Sequence, residues 1–520
     1  MLSRHSMPFL ITLNIKTNIC NFHKNKFLMA KGYNVLFVTS EVLPYSKTGG
    51  LADISNSLPQ ALNALGNEVR IISPKYGQLD ERRLQIHEIK RLKDLKINII
   101  DTQSKFSIKS SFIHGKNTKA QIYLLENQDF FKNKGIYQNI RTKKDFPNND
   151  ERFLFFCKAV LEILEILQWK PDVIHCNDWQ TALIPAMLKR IYKNNLHIKD
   201  IKTVFTIHNL AYQGDFASST FKKTNLPETV LNEVGYAKNR FNFLRTGLYY
   251  ADKITTVSEK YSEEIRTKKD YSCGMGDLLA KRKKDLSGIL NGIDYSNWNP
   301  SVDKIITYRY TYQEIPLKYE NKRELLHKYN LEYKENIPLI GMISRLVDEK
   351  GFELVVNILP ELMKENVQLI ILGEGDEKYQ KFLLSAKKKY AKKLIVHIGF
   401  DENLAHHIQA GCDMILMPSK YEPCGLTQLY SLSYGTVPVV RNTGGLSDTI
   451  TDYRKPDGTG FLFDNYSGKD FITTIKAALN VYKNNKQKWY TIIRNGMALD
   501  FSWKVSALKY MNLYKKVISS

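Results

Sequence analysis

The chain carries the peptide Thr-Gly-Gly-Leu-x-Asp twice, at residues 48–53 and 443–448, near opposite ends of its 520 residues. Each copy follows an apolar run typical of a buried strand, 35–38 before the first and 437–440 before the second. Each copy also opens a segment with the apolar spacing of a helix. A glycine pair between strand and helix lets the backbone approach a ligand and directs free N–H groups at an anion. The two loops therefore predict an anionic ligand held between two similar halves.

Apolar runs that alternate with helical patterns predict the same architecture for both halves. In the first half the strand-like runs are residues 35–38, 69–73, 173–175, 204–208 and 253–257. In the second half they are residues 339–343, 369–372, 395–398, 414–417 and 437–440. Strands that alternate with helices form parallel sheets, and ligands bind at the carboxyl ends of their strands. We therefore predict an α/β fold of two Rossmann-like, doubly wound parallel-sheet domains that face a cleft.

Polar, turn-rich segments give the expected domain boundaries. A chain of 520 residues is too long for one hydrophobic core. Residues 291–300 are polar, rich in turn-forming residues and end in proline, so they are the predicted hinge. We predict a first domain at 29–287, a second at 288–499, and a C-terminal helix at 500–520 that packs back on the first domain. Residues 76–150 alternate less regularly and leave their topology open.

Residues 1–28 differ in composition from the rest of the chain. They contain no acidic residue, since the first is Glu41, but they contain Lys, Arg, Ser and Thr. This composition fits an organellar transit peptide or sequence upstream of the true start, and Met29 just before the first strand favours the second interpretation. The six cysteines show no CxxC spacing, which favours a reducing compartment. We expect a cytoplasmic protein, or a plastid one if residues 1–28 are a transit peptide.

The net charge of +23 comes from 76 Lys and Arg against 53 Asp and Glu. The lysine runs lie among Asn, Ile and Tyr, which is typical of an AT-biased genome. The charge therefore favours a general basic field that attracts anionic donors over nucleic-acid binding. No stretch approaches the roughly 18 apolar residues needed to cross a bilayer. We predict no nucleic-acid or membrane partner.

The second half places two cations and a carboxylate at strand ends. Arg345 follows the run 339–343 and Lys350 opens the next helix, so both can face one cleft and neutralise a departing diphosphate. Glu422 follows the run 414–417 and precedes a proline and a glycine-opened helix. A carboxylate held this way can accept hydrogen bonds from sugar hydroxyls or stabilise positive charge at an anomeric carbon. The alternative for each is an ordinary surface residue.

The first half offers groups suited to phosphate and sugar. Lys47 directly precedes the first glycine loop, and a cation beside backbone N–H donors suits a diphosphate. Asp178, Trp179 and His208 follow apolar runs, and such mixtures of carboxylate, aromatic ring and imidazole hold sugars. A solvated lysine and a structural histidine are the alternatives. The chain has no Asp-x-Asp pair, so a metal-chelated nucleotide-sugar site of that kind is not expected.

Together these motifs resemble those of bacterial glycogen synthases and plant starch synthases, from about residue 33 to the C-terminus. The matching segments are residues 46–53, 208–214, 291–294, 344–351, 422–428 and 443–448. The resemblance implies a two-Rossmann (GT-B) glycosyltransferase that closes around ADP-glucose. It further implies transfer of glucose to the non-reducing end of an α-1,4-glucan, with retention of configuration and with neither a metal nor another cofactor.

The resemblance also implies roles for individual residues. The implied catalytic residues are Glu422, Arg345, Lys350 and His208. The implied donor-binding residues are Lys47, Gly49, Gly50, Asn291, Thr443, Gly444 and Gly445, and the implied acceptor-binding residues are Asp178 and Trp179. Two alternatives stay open: UDP-glucose as the donor, and a non-catalytic glucan-binding protein on the same scaffold. The sequence gives no oligomeric state.

Overall fold

A computed structural model of the protein describes residues 32–77, 79–99, 102–115 and 118–520. The predicted extension at 1–28 lies outside the described residues. The described part of the chain forms two α/β domains, each built on one main sheet. Among its helices, none combines the length and the apolar character needed to cross a membrane.

The first domain contains the following strands and helices among its described residues. Its strands are β1 (Asn34–Val38), β2 (Glu68–Pro74), β3 (His87–Glu88), β4 (Leu95–Ile99), β5 (Thr102–His114), β6 (Lys119–Glu126), β7 (Val173–Asn177), β8 (Lys202–Ile207), β9 (Asp215–Ala217), β10 (Arg240–Asn242), β11 (Lys253–Thr256) and β12 (Leu286–Gly288). Its helices are α1 (Gly50–Ala64), α2 (Asn149–Ile166), α3 (Leu183–Arg190), α4 (Ser219–Lys223), α5 (Thr229–Val234), α6 (Phe243–Tyr250), α7 (Glu259–Thr267), α8 (Lys269–Ser272) and α9 (Gly276–Lys281), with 3₁₀ turns at Lys90–Leu92 and Trp179–Thr181.

The second domain follows the same alternation of strand and helix. Its strands are β13 (Leu339–Ile343), β14 (Gln368–Gly373), β15 (Leu394–Ile398), β16 (Met414–Met417), β17 (Val437–Arg441) and β18 (Phe461–Phe463). The helices are α10 (Ile315–Lys328), α11 (Phe352–Leu362), α12 (Glu377–Lys389), α13 (Glu402–Gly411), α14 (Thr427–Ser433), α15 (Gly444–Thr449), α16 (Gly468–Asn484), α17 (Lys486–Met497) and the terminal α18 (Trp503–Ile518), with a 3₁₀ turn at Asp348–Lys350.

Both sheets reverse their strand order at one central point. The first runs β12-β11-β8-β7-β1-β2-β6-β5-β3, with β4 beside β5, and is parallel from β12 to β6. The second runs β15-β14-β13-β16-β17-β18 and is parallel throughout. The reversals lie between β1 and β7 and between β13 and β16, where ligands of doubly wound sheets bind. These sheets confirm the predicted fold class.

Each central strand is buried on both faces. In β1, Leu36 and Val38 belong to one hydrophobic cluster and Val35 and Phe37 to another on the opposite face of the sheet. All four side chains are 0% exposed. Burial on both faces requires a continuous apolar run, which explains why these strands are recognisable in the sequence.

The last helix, α18, packs on the first domain although it follows the second in sequence. Its buried side chains join the cluster that contains Phe37 and Val204. The Tyr514 hydroxyl lies 2.8 Å from Nδ1 of the buried His175. The chain therefore crosses between domains twice, and the crossings lie side by side, with the N–H of Ile293 donating to the Phe501 carbonyl at 2.8 Å.

We expect Tyr514→Phe to lower the free energy of unfolding by about 1–3 kcal/mol, because the buried Nδ1 of His175 would lose its partner. Urea unfolding of the variant measures this. Tyr308→Phe, at a ring that is 41% exposed, is the control. A Tyr514→Phe midpoint equal to that of the control would contradict the expectation.

Candidate active site

A cavity of about 110 Å³ lies at the reversal point of the second sheet, between the carboxyl ends of β13 and β16. Its polar lining includes Ser344, Lys350, Ser419, Glu422 and Thr427. The structure thus brings together two of the four residues that the resemblance marks as catalytic.

Lys350 and Glu422 form an ion pair in this cavity. Nζ of Lys350 lies 2.6 Å from Oε2 of Glu422, and the Ser419 hydroxyl donates to the same oxygen at 3.0 Å. Glu422 is 5% exposed, so its carboxylate depends on these partners for compensation of its charge. Gly351 allows this contact: its φ is 75°, and a Cβ there would lie 2.1 Å from the carbonyl oxygen of Pro418.

Arg345 extends from the end of β13 towards the first domain. Its side chain is 54% exposed and lies 3.4 Å from Glu349. Burial lowers the pKa of Arg345, but the neighbouring Tyr212 hydroxyl and the Glu349 carboxylate outweigh it, so the pKa lies above its ordinary value. The guanidinium is therefore a permanent cation that is open to a ligand at the mouth of the cleft.

The first glycine loop is held by Glu41, which the sequence analysis did not single out. The Glu41 carboxylate accepts the Thr48 N–H at 2.5 Å, the Thr48 hydroxyl at 2.6 Å and the Gly49 N–H at 3.1 Å. The Tyr137 hydroxyl donates to it at 2.7 Å. The Glu41 carboxylate thus occupies the N–H of Gly49, one of the two glycines of this loop that are predicted to bind the donor, and Gly50 begins α1.

Lys47 pairs within the first domain, whereas Gly50 faces the second domain. Nζ of Lys47 pairs with Asp53 at 2.9 Å, and both side chains are about one third exposed. A Cβ placed on Gly50 would lie 3.9 Å from the Leu426 side chain of the second domain. The two domains therefore approach each other closely at this loop.

The second glycine loop is also occupied by a glutamate, this time from the other domain. Glu264 accepts the Gly444 N–H at 3.0 Å and the Thr443 hydroxyl at 3.2 Å. The Gly445 N–H donates to the Glu422 carbonyl at 3.0 Å. Because these groups have protein partners here, the donor-binding role of Thr443, Gly444 and Gly445 stays a prediction.

His208 presents an unused acceptor. Its Nε2 lies 2.9 Å from Oδ1 of Asn177, whose amide nitrogen donates to Val38, so Nε2 carries the proton. Its Nδ1 is buried and has no hydrogen-bond partner among the described residues. Burial lowers the pKa of His208 to about 3, so the ring is neutral. Nδ1 can therefore accept a hydrogen bond from a hydroxyl of a bound molecule.

Asp178 and Trp179 occupy different environments. Asp178, at a positive φ of 56°, accepts the His208 N–H at 2.8 Å, and burial raises its pKa to about 7. Trp179 is only 9% exposed and packs edge-on against Phe153 and Phe216, with ring centroids 4.9 and 5.6 Å away. The structure therefore places Trp179 in the core of the first domain, where it offers no open face for stacking on a sugar.

The raised pKa of Asp178 predicts a pH dependence of stability. Between its ordinary value of 3.8 and about 7, the folded state holds a proton that the unfolded chain has released. The stabilisation is therefore fully present below pH 3.8 and is lost as the pH rises to about 7. Asp178→Asn should remove this slope in unfolding free energies measured across that range, whereas the exposed control Asp200→Asn should keep it. An unchanged slope in Asp178→Asn would contradict the assignment.

Asn291 lies beside the loop of Glu422. It is 5% exposed and contacts the Cys424 thiol. Its Oδ1 has no hydrogen-bond partner in the part of the chain that the structure describes. Like Nδ1 of His208, this oxygen is an acceptor available to a ligand.

Phe400 is a further candidate that the sequence analysis missed. It follows β15 at the carboxyl edge of the second sheet and is 76% exposed. A ring this exposed at a ligand-binding edge suits stacking on a nucleotide base. The available signal was an aromatic residue two positions after the run 395–398, separated from it by Gly399.

Known proteins match both domains. Residues 34–281 match the starch synthase catalytic domain family, and residues 323–494 match glycosyl transferases group 1. A glycogen synthase of Moorella thermoacetica is 41% identical over 498 residues, covering 94% of this chain and 98% of its own. That of Geotalea daltonii is 41% identical over 489 residues, covering 93% and 99%. The chain belongs to the glycogen synthase family.

Solved structures agree with this membership. The catalytic domain of starch synthase IV from Arabidopsis thaliana, bound to ADP and acarbose, matches with a TM-score of 0.85 and 30% identity over 94% of this chain and 100% of that one. Sucrose-phosphate synthase from Thermosynechococcus elongatus matches with a TM-score of 0.57 at 16% identity, which bears on the fold alone. The family resemblance and the GT-B fold are confirmed, and the individual site roles stay predictions.

Proposed function

We propose that this glycogen synthase family member transfers glucose from ADP-glucose to the non-reducing end of an α-1,4-glucan, with retention of configuration. The observation that carries the proposal is the Lys350–Glu422 ion pair in the cavity at the reversal point of the second sheet. A carboxylate and an ammonium at such a point suit a substrate that combines a sugar with a diphosphate.

The donor's two parts would meet different groups of the site. Arg345 and Lys350 neutralise the negative charge that grows on the departing diphosphate. Glu422, fixed by Ser419, accepts hydrogen bonds from the glucose hydroxyls and stabilises the positive charge that develops at the anomeric carbon. The exposed ring of Phe400 stacks on the base.

The first domain would complete the site around the transferred glucose. The free Nδ1 of His208 accepts a hydrogen bond from a glucose hydroxyl, and Asp178 holds the His208 backbone in place. For retention, the acceptor hydroxyl enters on the face from which the diphosphate leaves. The bond from the anomeric carbon to the phosphate breaks, the new glycosidic bond forms, and the acceptor proton passes to the departing phosphate oxygen.

The most specific part of the proposal is that the base of the nucleotide donor is adenine. A starch synthase IV structure at 30% identity is described as bound to ADP, which supports adenine. Stacking on Phe400 suits either adenine or uracil, because every base has an aromatic face. The donor preference therefore needs a direct measurement.

The test uses protein that begins at Met29, a short maltooligosaccharide and labelled ADP-glucose, with labelled UDP-glucose in parallel. We expect label to enter the glucan from ADP-glucose, and we expect EDTA to leave the rate unchanged. Transfer from UDP-glucose alone would correct the base and keep the chemistry. Glucan binding without transfer from either donor would instead support the non-catalytic alternative, and loss of activity in EDTA would contradict the metal-independent mechanism.

A further inference from the structure

A fully buried carboxylate joins the first domain to the second glycine loop. Glu264, on α7, is 0% exposed and accepts the Gly444 N–H and the Thr443 hydroxyl at 3.0 and 3.2 Å. Lys268, the residue that caps the C-terminal end of α7, pairs with its other oxygen at 3.1 Å. A buried charge with this set of donors is costly to disturb, because removal of one partner leaves the others unsatisfied.

The second domain in turn supplies a carboxylate that accepts hydrogen bonds from the first domain. Asp448, on α15, accepts the hydroxyl of Ser258 at 2.6 Å and the N–H of Lys260 at 3.0 Å, both at the start of α7. Glu264 and Asp448 thus form a reciprocal clasp, in which each domain supplies a carboxylate to backbone and hydroxyl donors of the other. The last residue of the repeated peptide therefore has a role that the sequence alone did not suggest.

The loop that Glu264 holds is in direct contact with Glu422. The Gly445 N–H donates to the Glu422 carbonyl at 3.0 Å. Gly444 has a φ of 45°, and a Cβ there would lie 2.0 Å from that same oxygen. Because the two backbones are packed without a gap, a displacement of residues 443–445 displaces Glu422 as well.

We propose that Glu264 is a positioning residue for the transfer reaction. Acting from the first domain through Thr443 and Gly444, it fixes the backbone of Glu422. The reacting carboxylate therefore reaches its working position only when the two domains are docked through the clasp. The inference rests on the proposed function for its effect on catalysis, whereas its structural part is testable without any activity.

The variant Glu264→Gln keeps the shape of the side chain and removes its charge. We expect kcat for glucosyl transfer to fall at least about tenfold, with KM for a short maltooligosaccharide within about twofold of wild type. Glu263→Gln is the matched control, since Glu263 lies on the same helix in an exposed pair with Lys260. A Glu264→Gln enzyme with the kcat of the control would overturn the proposal.

Two further measurements separate positioning from a general loss of stability. If Glu264 acts through Thr443, the variants Glu264→Gln and Thr443→Val should be strongly non-additive in kcat, whereas additive losses would refute the coupling. Hydrogen exchange of residues 443–446 should accelerate in Glu264→Gln and not in Glu263→Gln. Unchanged exchange in Glu264→Gln would refute the positioning proposal, whether or not the wild-type protein transfers glucose. Absence of transfer by the wild-type protein would refute only the proposed function.

Discussion

Glu422→Gln should lower kcat for glucosyl transfer by at least about 100-fold, the typical cost of losing one stabilising group in the transition state. Glutamine fills the same space, but it cannot carry the negative charge that offsets the developing positive charge at the anomeric carbon. In the wild-type protein Lys350 lies 2.6 Å from a carboxylate oxygen of Glu422. In the variant, Lys350 faces either the NH₂ group or the oxygen of a neutral amide instead. We expect the fold to persist, because Glu422 contributes little to either hydrophobic core.

The second domain offers a matched control for this variant. Glu377 also pairs with a lysine, Lys381, at 2.7 Å, but both side chains are more than 70% exposed on α12. Exposed pairs of this kind contribute about 0–1 kcal/mol to stability. Glu377→Gln should therefore leave kcat unchanged. If Glu422→Gln turned over at the wild-type rate with the same melting temperature, the proposed role of the carboxylate would be wrong.

Lys350→Ala should lower kcat by about 100- to 1,000-fold, because the departing diphosphate loses a fixed cation and Glu422 loses its charged partner. Steady-state rates at saturating acceptor measure this loss, and Lys381→Ala is the control from the exposed pair. Residues that act as a unit lose activity non-additively. Combining Lys350→Ala with Glu422→Gln should therefore cost much less than the product of the two single losses. Fully multiplicative losses would show that the two side chains act independently.

The sequence was sufficient for the central strands and the terminal helix. All ten predicted strands are present, because a parallel strand buried on both faces must be a continuous apolar run. The helix α18 also lies within the range 500–520 that was predicted for it. The topology of residues 76–150, by contrast, was not predictable from the sequence. There β5 pairs antiparallel with β3, β4 and β6, and these pairings depend on packing between distant residues more than on local pattern.

Site residues that follow a recognisable strand were predictable from the sequence. Residues whose role is to bind groups elsewhere in the fold were not. Lys350 and Glu422 lie in the segments that follow the neighbouring strands β13 and β16, so the topology of the sheet places them together. Glu41 and Glu264 bind backbone amides, and no sequence motif marks a carboxylate for that role. Trp179 looked like a stacking platform, but Gly214 leaves room for its ring: a Cβ there would lie 2.3 Å from it.

The position of α18 has a consequence for the order in which the protein can mature. Domains generally fold in the order of their synthesis, the N-terminal one first. Here the first domain needs Trp503, Tyr510 and Tyr514 to close one face of its sheet, and these side chains are synthesised after the second domain. One apolar face of the first domain's sheet therefore remains uncovered while the second domain is translated. Its core is completed only after α18 has been synthesised, so folding of the first domain depends on translation beyond the second domain.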